Sequence, residues 1–280
     1  MRKKSIIISS CDYKYGDFLI NHWLKSLIEN VKLDNIDIAI LDYGLSKNQK
    51  DILKSKKIKV VECVKDGHIV NIRYMDMLKF LNKNNYGQVL SCDSGDIIFQ
   101  EDISQLFHEN KRSYRGVYED IARIEMFSIF MGSFPEDLRK SILKRLKGKK
   151  IINAGFILAP SDKFKGLCKE IDNLIINKDY YGLDQIILNY VLYNKKFIPL
   201  DKKFNFIPTT MNDSFKIKKG IFYDSNGTII PVVHNAGRGV FSRVIKKFGY
   251  GKGYNHFDIV VYYFLRIIYK IIMKVNSFLN

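Results

Sequence analysis

Strand-like and helix-like segments alternate along the first third of the chain, and this alternation restricts the fold more than any other feature. β-Branched and apolar runs predict four strands, at residues 5–9, 37–42, 58–63 and 88–92. Segments with helical periodicity separate them, at residues 17–29, 47–55 and 70–83. Such alternation is typical of βαβ units. We therefore predict an α/β fold with a mixed, mostly parallel sheet flanked by helices.

The second half of the chain is less regular. Strands are predicted at residues 114–118 and 151–159, helices at 162–176 and 184–193, a turn-rich stretch at 202–228, and a short strand at 229–233. Neither G-x-G-x-x-G nor the P-loop pattern occurs, which argues against a dinucleotide fold and a P-loop NTPase. Because no Pro/Gly/Ser-rich linker divides the 280 residues, we assign residues 1–250 to one domain and residues 251–280 to a tail.

Charge and cysteine content narrow the function classes. The formal net charge of +17 favours anionic ligands, namely nucleic acid, anionic lipid or phosphorylated metabolites. The four cysteines are far apart in sequence and form no C-x-x-C pair, which argues against zinc and redox motifs. The apolar run near the start is too short for a signal peptide. We therefore expect a reducing, cytoplasmic location.

Two carboxylates interrupt the apolar sequence between residues 89 and 107. Asp93 and Asp96 follow the strand predicted at 88–92, and a second apolar run occupies 97–99. Residues 101–104 resemble the cap and first turn of a helix. A divalent cation that holds a phosphate would explain carboxylates at this place, and a polar turn between strands is the alternative.

The carboxyl ends of parallel strands are where such sheets bind ligands. This rule directs attention to the polar residues after the first strand as well as to Asp93 and Asp96. Those residues are Ser9, Ser10, Asp12 and Tyr13.

The tail contains an apolar segment from about residue 256 to 279 with cations spaced four residues apart. Arg266, Lys270 and Lys274 fall on one face of a helix, and the remaining faces are aliphatic and aromatic. Three cations argue against a membrane-spanning helix and favour a helix that lies on an anionic membrane surface. The alternative is a C-terminal helix packed on the core with an exposed basic stripe.

Four further signals follow the carboxylates along the chain. They are Asn153-Ala-Gly-Phe-Ile-Leu, Gly182-Leu-Asp184-Gln185-Ile-Ile-Leu-Asn189, Phe204-Asn205-Phe206 and His234-Asn-Ala-Gly237-Arg238. Together with Asp93 and Asp96, their order and spacing resemble the family 8 glycosyltransferases, which are retaining enzymes of the GT-A fold. The resemblance extends over about residues 5–240, and the tail resembles the membrane-attaching tails of bacterial members. The segment DSGDIIFQ also resembles the pattern DxxDxxFQ of a divergent set of bacterial glycosyltransferase-like proteins.

The resemblance implies a metal site for Mn²⁺ or Mg²⁺. In the family, an Asp-x-Asp after a strand and a later His hold the cation on the donor diphosphate. Asp96 matches the second Asp and His234 matches the His. Ser94 stands where the family has its first Asp, and Asp93 is the possible substitute one residue earlier.

The resemblance also implies where the donor would bind. The implied nucleotide-sugar-binding residues are Ser10, Asp12, Tyr13, Arg73, Asp93, Ser94, Asn153, Gly237 and Arg238. Asp184 and Gln185 match the pair at the β-face of the donor sugar, which makes them the candidate catalytic residues. The family's Lys-Pro-Trp after the His-Gly motif is absent, so phosphate clamping would fall to Arg238, Arg243 or nearby lysines.

These features predict a metal-dependent, retaining glycosyltransferase. We expect it to move a hexose from a nucleotide sugar, with a UDP-sugar favoured, to a bacterial surface glycan or lipid-linked acceptor, as in lipopolysaccharide or capsule synthesis. We expect it to be peripheral on the inner face of the cytoplasmic membrane, held to anionic lipid by residues 256–280. One alternative is an inactive nucleotide-sugar-binding protein, which Ser94 would permit. The other is a basic nucleic-acid-binding protein, but no helix-turn-helix, zinc finger or RNP-like sequence supports it, and we expect no nucleic acid.

Overall fold

The computed structural model describes residues 3–237 and 243–278. Its strands are β1 Ser5–Cys11, β2 Ile36–Asp42, β3 Lys59–Glu62, β4 Gln88–Cys92, β5 Ile97–Phe99, β6 Tyr114–Arg123, β7 Lys150–Pro160, β8 Phe197–Pro199, β9 Phe215–Lys218, β10 Ile221–Asp224, β11 Val232–His234, β12 Ile245–Lys246 and β13 His256–Phe257. Its α-helices are α1 Tyr13–Phe18, α2 Lys25–Asn30, α3 Lys47–Ser55, α4 Ile69–Asn82, α5 Glu136–Leu146, α6 Ser161–Leu174, α7 Leu183–Leu192 and α8 Ile259–Phe278. The α/β class is confirmed.

A seven-stranded sheet in the order β3-β2-β1-β4-β7-β6-β8 forms the centre of the protein. β3, β2, β1 and β4 are parallel, β7 runs antiparallel to β4 and to β6, and β8 is parallel to β6. The mostly parallel sheet predicted from the sequence is therefore confirmed. The carboxyl ends of β1 and β4 lie side by side, which places the residues that follow them at one edge.

The strands of the central sheet are buried because apolar side chains on both of its faces pack against helices. On one face they pack with Ile72 of α4, Leu167 of α6 and Ile187 of α7. On the other face they pack with Trp23 and Leu53. Strands covered on both faces carry continuous apolar runs, as this sequence does.

The start of α3 shows how local sequence sets a helix boundary. A capping box begins the helix: the Ser46 hydroxyl accepts from the backbone N–H of Gln49, and the Gln49 side chain accepts from the N–H of Ser46. Two backbone donors that would otherwise lack partners are satisfied in this way. The helix predicted at 47–55 is confirmed with the same bounds.

Three predicted segments differ from the structure. The α-helical turn expected from residues 101–104 is wrong: a short 3₁₀ turn forms over Ser104–Phe107 instead, and Oδ1 of Asp102 accepts from the Ser104 N–H at 2.9 Å. The helix expected at 17–29 begins earlier, at Tyr13, and includes a π-helical segment over Leu19–Leu24. The turn-rich stretch at 202–228 contains the β9–β10 hairpin, whose strands are only four residues long and whose β9 alternates lysine with apolar residues.

The C-terminal helix α8 packs on the domain through part of its surface. Leu265 is buried in a third apolar cluster, and Tyr269 packs against the same cluster. Arg266 donates hydrogen bonds to Met211 and Asn212, so it points toward the domain, whereas Lys270 is exposed. The cations that were expected to form one exposed basic stripe therefore do not share an orientation: Arg266 faces the domain, and Lys270 faces solvent. Within the described residues, no helix is both long and apolar enough to cross a membrane.

Candidate active site

The pairing of β5 with β11 brings His234 next to the turn that carries the acids. His234 is opposite Ile97 in this antiparallel register. The backbone N–H of Asn235 donates to the Asp96 carbonyl at 2.9 Å, which holds the two strand ends together. Asp96 and His234 are thus neighbours across two strands, although they are far apart in the sequence.

Asp93 reaches the same place through the pairing of β4 with β7. The backbone N–H of Asp93 donates to the Gly155 carbonyl at 3.0 Å, which continues the ladder by one residue. A Cβ atom at Gly155 would lie 2.5 Å from Cε1 of His234 and 2.7 Å from Oδ2 of Asp93. Only glycine therefore lets these two side chains converge over β7.

Asp93, Asp96 and His234 form a compact cluster of potential metal ligands. One ligand atom from each residue lies within 4.8 Å of the others. Nε2 of His234 is 3.3 Å from Oδ1 of Asp96 and 3.9 Å from Oδ2 of Asp93. Burial alone would lower the pKa of His234, but the nearby carboxylates, Asp96 first and then Asp93 and Glu119, together outweigh burial and raise it.

The chemistry of this cluster fits a divalent cation. Two carboxylates and one imidazole direct electron pairs at a common point, where a positive charge relieves their mutual repulsion. Carboxylate and imidazole are ligand types that Mn²⁺ accepts in proteins. His234 is also oriented from behind, because its Nδ1 lies 3.0 Å from Oδ1 of Asn205. Asp93, Asp96 and His234 are therefore the residues that would hold the metal.

Two arginines bond the carboxylate oxygens of Asp93 and Asp96 that do not face His234. Arg73 bridges Asp93 and Asp184, with Nη1 2.5 Å from Oδ1 of Asp93 and Nη2 3.0 Å from Oδ2 of Asp184. Arg243 lies 2.8 Å from Oδ2 of Asp96. Each cluster carboxylate thus gives one oxygen to an arginine and directs the other toward His234.

The carboxyl groups bonded by Arg73 have opposite pKa shifts. Burial alone would raise the pKa of Asp93, but Arg73 and His234 outweigh it and lower the value. Burial raises the pKa of Asp184 from 3.8 to about 6, and Arg73 offsets only part of that rise. Asp93 is therefore the more firmly ionised of the two, as a metal ligand must be.

A cavity of about 710 Å³ opens beside the cluster. The predicted residues that line it are Ser10, Asp12, Arg73, Asp93, Ser94, Asp96 and Gly237, together with Arg243. Tyr13, which the sequence predicted, is 69% exposed and is not among the residues that line the cavity. Tyr15, two residues further on, lines it near Ser10 and Asp12. Lys65, which no sequence signal identified, lies 3.0 Å from the Asp12 carboxylate. Arg238 lies outside the described residues.

Ser94 connects the ends of two neighbouring strands. Its hydroxyl donates to the Ser10 carbonyl at 2.9 Å, and the side chain is almost completely buried. This hydrogen bond joins the turn after β4 to the end of β1. Ser94 therefore lies in the cavity wall, while Asp93 belongs to the ligand cluster.

A second group of polar side chains lies behind the cluster. Asn153 donates from Nδ2 to Glu119 at 2.9 Å, and Gln185 donates from Nε2 to the same Glu119 oxygen at 3.2 Å. Oε1 of Gln185 accepts from the Ala154 N–H at 3.2 Å. Both polar ends of the Gln185 amide are thus oriented by protein groups.

Sequence reasoning missed Glu119 and gave no role to Asn205. Glu119 is 5% exposed in β6, and Asn205 is fully buried in the Phe-Asn-Phe segment. The sequence did not single Glu119 out, because it stands next to Asp120 in a strand that also contains Arg115 and Arg123. A buried carboxylate of that kind needs hydrogen-bond partners, and its partners are Asn153 and Gln185.

A mostly parallel sheet with an acidic turn and a histidine at its carboxyl edge is the arrangement of GT-A glycosyltransferases. Solved structures of that class share the fold of this chain. The galactosyltransferase LgtC in complex with donor and acceptor sugar analogs matches with a TM-score of 0.55 at 18% identity, over 84% of this chain and 88% of that one. An active-site mutant of LgtC, in which glutamate replaces a glutamine, matches with a TM-score of 0.55 at 18% identity, over 84% and 89% of the two chains.

The bifunctional glycosyltransferase WbbM in its apo form is a third structural match. Its TM-score is 0.59 at 16% identity, over 86% of this chain and 47% of the WbbM chain. No protein-family model and no curated protein matches the sequence. At these identities the comparisons establish the fold, which is GT-A as the sequence motifs predict.

Proposed function

We propose that this protein is a metal-dependent glycosyltransferase that uses a nucleotide-sugar donor. The observation that carries the proposal is the cluster of Asp93, Asp96 and His234, which opens onto the cavity at the carboxyl edge of a GT-A sheet. A nucleoside diphosphate brings negative charge to this edge, where a cation held by the cluster and the guanidinium of Arg243 would meet it. LgtC and WbbM, which share the fold, are glycosyltransferases by name.

The leaving diphosphate would be stabilised by positive charge at the cluster. A divalent cation on Asp93, Asp96 and His234 would supply Lewis-acid stabilisation as charge builds on the leaving oxygen. Arg243 lines the cavity and has a partly exposed side chain, so its guanidinium can also donate to phosphate oxygens. We place Gly237, which has a φ of 142°, where the backbone approaches the diphosphate. The contact of Arg238 with a donor phosphate is proposed from the sequence alone.

The nucleoside end of the cavity is the end formed by β1. We place the base and ribose against Ser10 and Asp12, which line the cavity, and beside the exposed Tyr13 next to Asp12, with Ser94 in the wall between them and the cluster. Asp12 and Lys65 form an ion pair that offers both an acceptor and a donor to a base edge. A UDP-sugar is the donor that we favour.

The donor sugar would lie between the cluster and the start of α7. We propose that Gln185, half-buried in the first turn of α7, faces the sugar, and that Asp184 supports this turn through its bond to Arg73. Asn153 lies in the same region, although both ends of its amide already bond protein groups. Retention of configuration is part of the proposal, either through Gln185 or by front-side attack within an ion pair.

Thermal stabilisation by nucleotide sugars tests the proposed function. We expect one nucleotide sugar, with UDP-sugars favoured, to raise the melting temperature in the presence of Mn²⁺ and much less without it, because a ligand that binds only the folded state stabilises it. The same donor should be hydrolysed or transferred when acceptors are supplied. Binding without turnover across many acceptors would identify an inactive nucleotide-sugar-binding protein. Stabilisation by nucleic acid alone would contradict the proposal.

We also propose that the tail holds the protein on an anionic membrane surface, on the cytoplasmic side of a bacterial membrane. The outer face of α8 exposes apolar side chains at helical spacing, each more than half exposed, which include Val260, Tyr263, Phe264, Ile267 and Ile271. Lys270 and Lys274 are exposed on the same helix. An apolar face with adjacent lysines fits the interface of a bilayer that contains anionic lipid. The acceptor would then be a lipid-linked or surface glycan, with hexose as the transferred sugar.

Cosedimentation with vesicles tests the tail. We expect the protein to bind vesicles that contain phosphatidylglycerol and to bind pure phosphatidylcholine much less, because both apolar burial and charge contribute. The double variant Phe264→Ser/Ile267→Ser should lose most of this binding while it keeps its melting temperature, since both side chains point away from the domain. Val64→Ser, at a position that is 79% exposed, is the matched control. Equal binding by the double variant and the control would refute membrane attachment.

A further inference from the structure

A cation-rich surface surrounds the tip of the β9–β10 hairpin, outside the cavity of the candidate active site. Residues 215–222 and 246–257 together contain six lysines and no acidic residue. The acidic residues that flank these segments are bonded to other groups: Asp213 to Lys202, Asp224 to backbone N–H groups of its own turn, and Asp258 to Lys246. The surface therefore carries excess positive charge, which attracts anions.

The hairpin tip packs against a second turn and brings two exposed lysines together. Lys219 and Gly220 have φ values of 52° and 83°, as a two-residue hairpin turn requires. A Cβ atom at Gly220 would clash with the Gly251 carbonyl oxygen and lie 3.7 Å from Cα of Lys252. Nδ2 of the buried Asn255 donates to the Gly220 carbonyl at 2.7 Å. The two turns are therefore held together, with Lys219 and Lys252 exposed beside each other.

A groove of about 480 Å³ lies between β9 and the chain that leads into α8. It combines apolar and aromatic side chains with cationic and imidazole groups, and the side chains that line it are Phe215, Ile217, Lys219, Tyr254, His256 and Phe257. Tyr254 and Phe257 are each 39% exposed. Tyrosine next to lysine is the composition that proteins place at the headgroup level of an anionic bilayer.

Aromatic contacts connect this groove to the outer face of α8. The ring centroid of Phe257 lies 5.1 Å from that of Phe215 and 5.5 Å from that of Tyr262. Tyr262 in turn lies 5.5 Å from Tyr263, which is 58% exposed. The exposed apolar face of α8 includes Val260, three residues after Phe257. A ligand with its charged head in the groove can therefore place apolar chains against that face.

We propose that the groove binds the phosphate headgroup of an anionic phospholipid, with the acyl chains directed toward the outer face of α8. Lys219 and Lys252 would donate to the phosphate oxygens. The inference rests on the membrane attachment proposed above and adds to it a separate headgroup site, since α8 by itself supplies mainly an apolar face. The groove shares no lining residue with the cavity beside the metal ligands.

Cosedimentation of the full chain with vesicles tests the site through Lys219→Gln/Lys252→Gln. We expect binding to vesicles that contain phosphatidylglycerol to fall by roughly 25-fold, which is about 5-fold for each lysine near an anionic surface. Binding to pure phosphatidylcholine should stay at the wild-type level, because α8 is unchanged. The melting temperature should also stay the same, since both lysines are exposed.

The matched control is Lys216→Gln/Lys218→Gln, which removes the same charge from the same hairpin. These two lysines alternate along β9 with the lining residues Phe215 and Ile217, so their side chains face away from the groove. The control should lose much less binding. Equal losses in the two variants would indicate diffuse charge in place of a site, and no loss in Lys219→Gln/Lys252→Gln would also overturn the proposal.

Two further measurements separate this site from the tail and from a soluble ligand. Phe264→Ser/Ile267→Ser should lower binding to both kinds of vesicle. If it bound both as the wild type does, attachment through α8 would be wrong, and Lys219→Gln/Lys252→Gln would still decide the headgroup site. Inorganic phosphate at matched ionic strength should stabilise the wild type no more than Lys219→Gln/Lys252→Gln. A larger stabilisation of the wild type would assign the groove to a soluble phosphate and contradict the lipid proposal.

Discussion

Sugar transfer is expected to fall by about 10²–10³-fold when Asp96 or His234 is replaced by alanine, on the scale seen when a group that stabilises transition-state charge is removed. Each change removes one of three converging ligand atoms. We expect Asp96→Ala and His234→Ala to lose Mn²⁺ binding and transfer together, because the same atoms serve both. The measurements are kcat/KM for the stabilising nucleotide sugar and calorimetric Mn²⁺ affinity.

The matched control for these two variants is Asp51→Asn. Asp51 is an exposed carboxylate on α3, away from the residues that line the cavity. It should keep wild-type kcat/KM and Mn²⁺ affinity. If Asp96→Ala and His234→Ala both kept full activity, the assignment of the metal site would be wrong even though the GT-A fold would stand.

The second large effect is expected on stability. Arg73→Met should lower the free energy of unfolding by about 3–5 kcal/mol, because it leaves the carboxylates of Asp93 and Asp184 without the guanidinium that bridges them. Chemical denaturation at neutral pH measures the loss. Lys79→Met on the same helix is the matched control, since Lys79 is exposed and its bond to Asp76 should contribute less than about 1 kcal/mol.

The loss in Arg73→Met should also depend on pH. A buried carboxyl group without a cation has a raised pKa in the folded state, so the folded protein holds a proton that the unfolded chain has lost. Stability therefore falls as pH rises above the ordinary value of 3.8, and the deficit of the variant grows in that direction. Asp184→Asn added to Arg73→Met should recover part of the loss. A deficit no larger than that of Lys79→Met would contradict the structural role of Arg73.

Much of the fold was predictable because its signals are local. The apolar runs of β1 and β4 and the capping box before α3 depend on residues adjacent in sequence, and each predicted element formed there. The exceptions have physical reasons. The β9–β10 hairpin carries lysines at alternate exposed positions of β9, so that strand lacks a continuous apolar run. The segment after residue 101 has cap chemistry, but the chain continues only as one 3₁₀ turn.

The sequence predicted which residues form the candidate site better than it predicted which of them bond one another. Asp93, Asp96 and His234 were identified from the sequence, and the structure brings them together. The bridge by Arg73 and the hydrogen bonds that Glu119 accepts from Asn153 and Gln185 were not visible, because each depends on side chains that meet across different strands and helices.

The sequence alone determined the α/β class, the acidic turn after β4 and the apolar, basic tail, since periodicity and short motifs record local preferences directly. Only the tertiary structure decided that Asp93 joins the ligand cluster while Ser94 bonds the end of β1. It also decided that Arg266 faces the domain, which leaves an apolar outer face on α8. These outcomes depend on strand register and on which charged groups share a buried volume. Hydrogen-bond and ion-pair energies depend on distances of a few ångströms, which the order of residues does not specify.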